Sequence, residues 1–202
     1  MIYAFIALMG YLFGCSNLAF FLAKAKGFDI CSHGSNNAGA SNATITLGLK
    51  AGVAVAIHDI AKACAAALLA GLLFPAVHHA AAVAGVAAVL GHIFPFYMNF
   101  KGGKGFASFL GLTLALDWRF FLAIVLAVLL ITLITDYIVL GTMTTVISFP
   151  VYLFFQHISV IGISIVCIAS LVILCKHAIN IKRLFTGQEI GLRRALSKKD
   201  RV

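Results

Sequence analysis

Long apolar stretches alternate along this chain with short polar or charged segments. The first stretch, residues 2–23, contains no charged side chain and is long enough to cross a bilayer as a helix. Later stretches have the same character and end at charged residues, polar pairs or a proline. The pattern predicts seven membrane-spanning helices, over residues 2–23, 51–73, 76–97, 104–117, 119–135, 138–155 and 158–176.

The boundaries follow residues that interrupt helices or prefer the membrane surface. Residues 63–100 carry no Lys, Arg, Asp or Glu and are too long for one crossing, so we place a turn at Phe74-Pro75. Trp118 stands between two stretches as an expected interfacial anchor, and Asp136 ends another stretch.

Composition agrees with this interpretation. Of the 202 residues, 62% are hydrophobic and only 10% are charged, whereas a soluble domain has roughly 25% charged residues. A mean hydropathy of +1.07 leaves too little polar surface for a water-soluble globule. We therefore expect an all-α integral membrane protein that forms a single domain over residues 1–202, with a basic tail at about 185–202.

The charge distribution predicts the orientation. Thirteen of the fifteen lysines and arginines fall on one face of the predicted bundle, and the exceptions are Lys62 and Arg119. The positive-inside rule makes the basic face cytoplasmic, which places the N-terminus outside and the C-terminus in the cytoplasm. Basic tail residues also suit anionic lipid, so the net charge of +9 requires no nucleic-acid partner. The tail residues concerned are Arg193, Arg194, Lys198, Lys199 and Arg201.

Three polar motifs lie on that face, and the first is the serine-asparagine loop, residues 34–42. Glycine permits positive φ, while Ser and Asn favour turns and helix starts, so the loop can aim several donors at one anion. The plain alternative is an ordinary polar connection between helices. The candidate substrate ligands are Gly34, Ser35, Asn37, Gly39, Ser41 and Asn42.

The second motif is the lysine-glycine loop, residues 101–105, which precedes a predicted helix. Its glycines let backbone approach a ligand, its lysines add positive charge, and the helix start offers unpaired amides. These features predict a phosphate cradle, although the spacing is not that of a Walker A loop. Two lysines extending to the membrane surface are the alternative. The candidates are Lys101, Gly102, Gly103, Lys104 and Gly105.

The third motif lies at the end of the last apolar stretch. On a helix, His177, Asn180 and Arg183 share one face, which would align donors toward the other two motifs. The alternative is an amphipathic helix end with basic anchors.

Other chemistry-bearing residues favour structural roles. Asp59 and Lys62 are spaced i, i+3 within an apolar stretch, which we interpret as a structural clasp. His92 suits a packing or capping role. The histidines show no metal-ligand spacing, and no GxSxG nucleophile motif occurs.

Taken in order, the three motifs resemble the PlsY-type acyl-phosphate:glycerol-3-phosphate acyltransferases of bacteria, over about residues 24–189. The resemblance implies seven helices with a cytoplasmic active site in the bacterial cell membrane. It also implies transfer of a fatty acyl group from acyl phosphate to the 1-hydroxyl of glycerol 3-phosphate, which yields lysophosphatidic acid without a metal or cofactor.

Site roles follow from the same resemblance. The catalytic candidates are Ser35, Lys104, His177 and Asn180. Ser35, Lys104 and the glycine amides are expected to bind phosphate, and His177 and Asn180 the polar group of the acceptor. Lys101 is expected either to support the residues that contact substrate or to bind the donor phosphate. Thr142 stands where the family usually has serine.

Two departures leave alternatives open. Ile45 and Ala178 stand where the family usually has arginines, and losing a bidentate phosphate donor is not conservative. Lys50 or Lys176 could compensate. Otherwise the chain is a paralogue that uses another acceptor, or a non-catalytic lipid or phosphometabolite binder or carrier. Few polar residues lie along spans 119–135 and 158–176, which favours the enzyme over the carrier.

Overall fold

The computed structural model describes residues 1–196, and within them the chain is helical with no β-strand. Residues 197–202, with Lys198, Lys199 and Arg201 of the expected basic tail, lie outside the described residues. Two short 3-10 helices span Ile30–Ser32 and Phe96–Met98. The α-helices are α1 (Ile2–Cys15), α2 (Leu18–Ala25), α3 (Ala40–Leu47), α4 (Leu49–Leu73), α5 (Ala80–Ile93), α6 (Phe106–Leu116), α7 (Trp118–Thr135), α8 (Ile138–Phe155), α9 (Val160–Phe185) and α10 (Leu192–Leu196).

The all-helical membrane fold is confirmed. Within the described residues, six helical segments are long and apolar enough to cross a membrane, and α1 with α2 counts as one of them. The predicted span 104–117 corresponds to α6, which has 11 residues. At about 1.5 Å per residue this helix is shorter than the roughly 30 Å hydrocarbon layer. The seventh crossing and the orientation therefore stay predictions.

Polar side chains set several helix boundaries. The apolar stretch 2–23 breaks after Cys15, a break that the sequence pattern did not predict. Asn17 is buried there and caps α2 by accepting a hydrogen bond from the Phe20 amide at 2.9 Å. Asp117 caps α7 through the amides of Arg119 and Phe120, at 2.8 and 3.0 Å. These caps pair backbone groups that a helix end leaves unsatisfied.

Small residues bring α1 and α5 into direct backbone contact. A Cβ atom added at Gly10 would overlap the backbone of Ala84, and one added at Gly14 would overlap that of Ala88. Close approach of this kind is the usual way in which helices associate in lipid, where no hydrophobic effect drives them together. The α1–α5 contact holds the start of α2 and the end of α5 side by side.

The largest buried cluster joins α5, α6, α8 and α9. Phe109 of α6 meets Phe149 of α8 edge to face, with ring centroids 5.9 Å apart. Ile93 of α5 and Ile173 of α9 belong to the same cluster and are fully buried. This packing fixes the start of α6 and the end of α9, where two of the predicted motifs lie.

Gly10→Ala is expected to lower the free energy of unfolding by about 1–3 kcal/mol because its Cβ would overlap backbone that cannot move aside. Thermal unfolding in detergent micelles measures the change. Gly71→Ala is the matched control, since its Cβ would lie 3.7 Å from the Ala81 Cβ, an ordinary contact. Equal stability of the two variants would contradict the packing described for α1 and α5.

Candidate active site

One cavity of about 540 Å³ touches all three sequence motifs. Its walls come from the serine-asparagine and lysine-glycine loops, from α3, α4, α6, α7 and α8, from the ends of α5 and α9 and from the segment that follows α9. One part of the cavity is polar and the other is apolar. The polar part contains Ser35, Asn37, Gly39, Ser41, Lys104, His177, Asn180 and Glu189.

The apolar part of the cavity lies among membrane-spanning helices. Aliphatic and aromatic side chains of α4, α6, α7 and α8 form it, which gives the cavity the polarity pattern of an amphiphile with a charged head and a hydrocarbon chain. The main contributors are Val53, Ile60, Phe106, Leu110, Phe121, Val125, Leu129 and Val139.

Asn42 organises the serine-asparagine loop. Its side chain is fully buried, and the two hydrogens of its amide nitrogen are shared among the carbonyls of Ile30, His33 and Asn37, which lie at 2.7–3.0 Å. Its Oδ1 accepts from the Ser35 amide at 2.7 Å. Asn42 does not line the cavity, and neither does Gly34, where a Cβ would overlap Asn42 Oδ1. Both residues shape the loop instead of facing a ligand.

The folded loop presents hydrogen-bond donors to the cavity. Ser35 Oγ accepts from Asn37 Nδ2 at 2.8 Å, which leaves the hydroxyl hydrogen of Ser35 available for a ligand. Gly39 precedes α3 without a side-chain cap, so the first amides of α3 remain unpaired beside the cavity. Ser41 lies on this first turn. The N-terminus of a helix attracts an anion through these amides and the helix dipole.

The lysine-glycine loop contributes differently from what its sequence predicts. The amides of Gly102 and Gly103 donate to the carbonyls of Ile93 and His92, at 3.0 and 3.1 Å. These two amides are therefore not free to bind phosphate, and the prediction that they do is corrected. The Gly102 carbonyl accepts from the Ala38 amide at 3.2 Å, which ties the two loops together.

Gly105 ends the loop with φ of 93° and directs the chain into α6. That φ lies in the left-handed region that glycine adopts without strain. Gly105, Phe106 and Ala107 line the cavity, so the N-terminus of α6 faces the same space as that of α3. Two helix N-termini thus point at one polar region, where both favour an anion.

Lys104 is linked to α9 and to the segment after it. Lys104 Nζ donates to Asn180 Oδ1 at 2.6 Å, and Asn180 Nδ2 donates to Glu189 Oε1 at 2.6 Å. Burial lowers the pKa of Lys104, while the nearby Glu189 carboxylate opposes this effect and the Arg183 charge adds to it. The second oxygen of Glu189 is buried without a hydrogen-bond partner among the described residues. It remains able to accept a hydrogen bond from a ligand in the cavity.

His177 has a defined tautomer. Its Nδ1 lies 2.9 Å from the Ile173 carbonyl, which can only accept, so Nδ1 carries the hydrogen in the neutral ring. Nε2 is then a hydrogen-bond acceptor on a buried ring that lines the cavity. An acceptor at this position suits a ligand hydroxyl group.

The remaining candidates lie at or beyond the margin of the cavity. Thr142 lines it, but its hydroxyl donates to the Ile138 carbonyl at 3.2 Å. Lys101 is exposed and Arg183 is partly exposed, and neither lines the cavity. Lys50 and Lys176 do not line it either. The structure thus brings together Ser35, Asn37, Gly39, Ser41, Lys104, Gly105, Thr142, His177 and Asn180.

The outer wall of the cavity is the strap, which we define as residues 189–195. The Leu192 amide donates to the Asp136 carbonyl at 2.7 Å, and the Arg193 amide donates to Asp136 Oδ1 at 2.9 Å. Asp136 therefore pins the strap to the junction of α7 and α8. The strap positions Glu189, which was not among the candidate site residues. The contact of Glu189 with Asn180, and those of the strap backbone with Asp136, join residues whose proximity only the folded structure shows.

Lys104 is the one lysine or arginine among the described residues that line the cavity. Ile45 forms part of the wall and is 4% exposed, so the usual arginine is replaced at the cavity itself. The groups of the cavity wall that suit an anion are therefore one ammonium group, the Ser35 hydroxyl and two helix N-termini.

Comparison with known proteins agrees with this geometry. A family model described as glycerol-3-phosphate acyltransferase matches residues 4–187. Glycerol-3-phosphate acyltransferase 1 of Oceanobacillus iheyensis is 37% identical and aligns over 98% of this chain and 99% of its own length. The Bacillus subtilis glycerol-3-phosphate acyltransferase is 37% identical over 94% of this chain and 97% of its own length.

Solved structures show the same fold. The glycerol 3-phosphate form of PlsY (YgiH), an integral membrane glycerol 3-phosphate acyltransferase, superposes with a TM-score of 0.88, at 35% identity and over 95% of this chain and 96% of that one. Its lysophosphatidic acid form gives a TM-score of 0.85, at 35% identity and over 97% of this chain and 99% of that one.

These features together define an integral membrane protein with a cavity that has a polar region suited to an anion and an apolar region among the helices. The chain belongs to the glycerol-3-phosphate acyltransferase family and, within it, to the PlsY type.

Asn42→Ala is expected to open the serine-asparagine loop because four backbone groups would lose their partner. Limited proteolysis of the protein in detergent should then cut within residues 33–39 at least ten times faster than in the wild type, which is about 1.4 kcal/mol of local opening. Ser41→Ala, at the neighbouring exposed position, should leave the rate unchanged. Equal rates in the two variants would contradict the organising role of Asn42.

Proposed function

We propose that the protein transfers a fatty acyl group from acyl phosphate to the 1-hydroxyl of glycerol 3-phosphate, which forms lysophosphatidic acid and inorganic phosphate. The observation that carries the proposal is the shape of the cavity, where a polar region with Lys104 and two helix N-termini continues into an apolar region. An acyl phosphate has the matching division into an anionic head and a hydrocarbon chain. The solved relatives with glycerol 3-phosphate and lysophosphatidic acid forms support the acceptor and the product.

The acyl phosphate donor would bind with its phosphate in the polar region of the cavity and its hydrocarbon chain in the apolar region. Its phosphate would lie near Lys104, the Ser35 hydroxyl and the first turn of α3, and its chain would lie among α4, α6, α7 and α8. This placement puts the reacting carbonyl at the junction of the polar and apolar regions. The N-terminus of α6 then lies close to the oxygen that gains charge during acyl transfer, which favours the transition state.

The second hydroxyl of the acceptor, which does not react, would donate to His177 Nε2, while Asn180 and Glu189 hold the polar groups beside it. The hydrogen of the reacting 1-hydroxyl is then free to point toward the acceptor's own phosphate. The hydroxyl oxygen attacks the acyl carbon, the bond from that carbon to the phosphate oxygen breaks, and phosphate leaves with the bonding electrons. We assign the hydroxyl proton to the phosphate of the acceptor itself. Because phosphate is already a good leaving group, holding the two reactants in place and stabilising charge supply most of the catalysis.

The proposal includes the location of the reaction. The polar region lies on the side of the bundle where lysines and arginines concentrate, so the positive-inside rule supports a site that faces the cytoplasm of a bacterial cell. The expected partners are acyl phosphate, glycerol 3-phosphate and membrane lipid.

Purified protein should convert palmitoyl phosphate and glycerol 3-phosphate to lysophosphatidic acid with release of phosphate. Lys104→Ala should lower kcat/KM about 10- to 100-fold because it removes a charge-assisted hydrogen bond. Lys26→Ala, an exposed lysine remote from the cavity, is the control.

A folded wild-type protein that makes no lysophosphatidic acid would contradict the proposal and favour the binder or carrier. Product formed only from an acyl thioester would contradict the donor. Product formed only with another phosphorylated acceptor would contradict glycerol 3-phosphate.

The pH dependence of kcat/KM should report the ionisation of the Lys104 ammonium group. The ammonium form binds phosphate, and burial places its pKa below the usual 10.5, so kcat/KM should fall as pH rises toward that value. Glu189→Gln removes a charge that raises the Lys104 pKa, so the fall should move to lower pH. Lys104→Arg should abolish the fall.

The assay is initial-rate product formation, with the spontaneous hydrolysis of acyl phosphate subtracted at each pH. A Glu189→Gln profile that stays in place or moves to higher pH would contradict this assignment.

A further inference from the structure

A buried ion cluster lies directly behind the lysine-glycine loop. We define it as Ser16, Asp59, Lys62 and His92, which come from the α1–α2 break, from α4 and from α5. Asp59, Lys62 and His92 are 1%, 6% and 2% exposed. The pair that the sequence suggested as a clasp thus gains two further members from other parts of the chain.

Three acceptor atoms surround the Lys62 ammonium group. Lys62 Nζ lies 2.6 Å from the Ser16 carbonyl, 2.8 Å from Asp59 Oδ1 and 2.9 Å from His92 Nδ1. An ammonium group has three donors and no acceptor, so three acceptors satisfy it. Because an ammonium group can only donate, the 2.9 Å contact makes His92 Nδ1 an acceptor, while Asp59 Oδ1 lies farther from this atom, at 3.3 Å. The cluster fixes both the tautomer and the orientation of the His92 ring.

The other edge of the His92 ring meets the lysine-glycine loop. A Cβ added at Gly103 would overlap His92 Nε2 and Cε1, so ring and loop are already in contact. The His92 carbonyl also accepts from the Gly103 amide at 3.1 Å. One histidine thus holds the residue before Lys104 from its side chain and from its backbone.

The location of the cluster suggests more than helix packing. Asp59 and His92 line the same cavity as Lys104. A clasp that only joined α1, α4 and α5 would need no contact with the loop, whereas here the ring edge opposite the ions lies against the loop that carries the cationic ligand.

We propose that His92, oriented by Lys62 and Asp59, is a positioning residue that sets the place of Lys104 through Gly103. This inference rests on the proposed role of Lys104 in binding phosphate. Asp59 and His92 border the cavity, but the role we assign to His92 is exerted through Gly103. The cluster acts by fixing the backbone from which Lys104 reaches Asn180 and the cavity.

A double-mutant cycle between His92 and Gly103 tests the proposal. Gly103→Ala should lower kcat/KM about 10-fold or more, because its Cβ overlaps the ring and displaces the loop. His92→Asn keeps a polar group able to meet Lys62 but removes the outer ring atoms. The double variant should therefore recover at least a third of the His92→Asn activity, so the two effects are not additive.

Gly102→Ala is the matched control. A Cβ there would overlap the His92 carbonyl and Pro95 Cδ, which His92→Asn does not change, so this variant should not be rescued. Additive effects of His92→Asn and Gly103→Ala, or equal rescue of both glycine variants, would overturn the proposal.

The same cycle measured by thermal unfolding distinguishes a positioning role of His92 from a purely structural role. We expect the His92 and Gly103 substitutions to be coupled both in stability and in kcat/KM. We also expect the loss of kcat/KM to come from a higher KM for a phosphate substrate. Coupling in stability without any effect on kcat/KM of an active enzyme would reduce the cluster to a structural role and overturn the inference. A wild-type protein with no acyltransferase activity would instead refute the proposed function, while coupling in stability would still report the contact.

Discussion

The hydrogen bond from the Lys104 ammonium to the Asn180 amide joins the two halves of the site across 76 residues of sequence. A lysine at the edge of a membrane bundle loses hydration, and the structure offsets this loss with an amide oxygen and, one step further, the Glu189 carboxylate. The position of α6, the end of α9 and the course of the strap all converge on this chain of contacts. Without it, Lys104, the one lysine or arginine among the described residues of the cavity wall, would have no fixed position.

Close packing makes that convergence possible. Glycines in α1 and α5 let backbones touch, and the same device recurs where Gly103 lies against the His92 ring. In lipid, the association of helices removes no apolar surface from water. Close packing contacts of this kind therefore supply much of the stabilisation. Rigid helix ends then carry the polar groups, so the proposed chemistry depends on backbone positions as much as on side chains.

The sequence predicted the features that depend on local pattern. Apolar stretches ended close to the observed helices, since length and charge alone limit a membrane span. It did not predict the break at Asn17, because the side chain is held there by the Ala38 carbonyl, 21 residues away. The prediction that the Gly102 and Gly103 amides bind phosphate was wrong for a similar reason. Their hydrogen-bond partners are carbonyls of α5, and the local sequence does not show that pairing. The i, i+3 spacing of Asp59 and Lys62 was visible, but His92 joins them from another helix.

The strap has a consequence for how the protein is made. The strap follows every long helix that the structure describes, so it is synthesised after these helices. A nascent chain can insert its helices and bring Lys104 beside Asn180 before Glu189 exists. The cavity would at that stage lack its outer wall and its carboxylate. Competence for acyl transfer would thus arrive in one late step, when the segment after α9 leaves the ribosome and docks on Asp136.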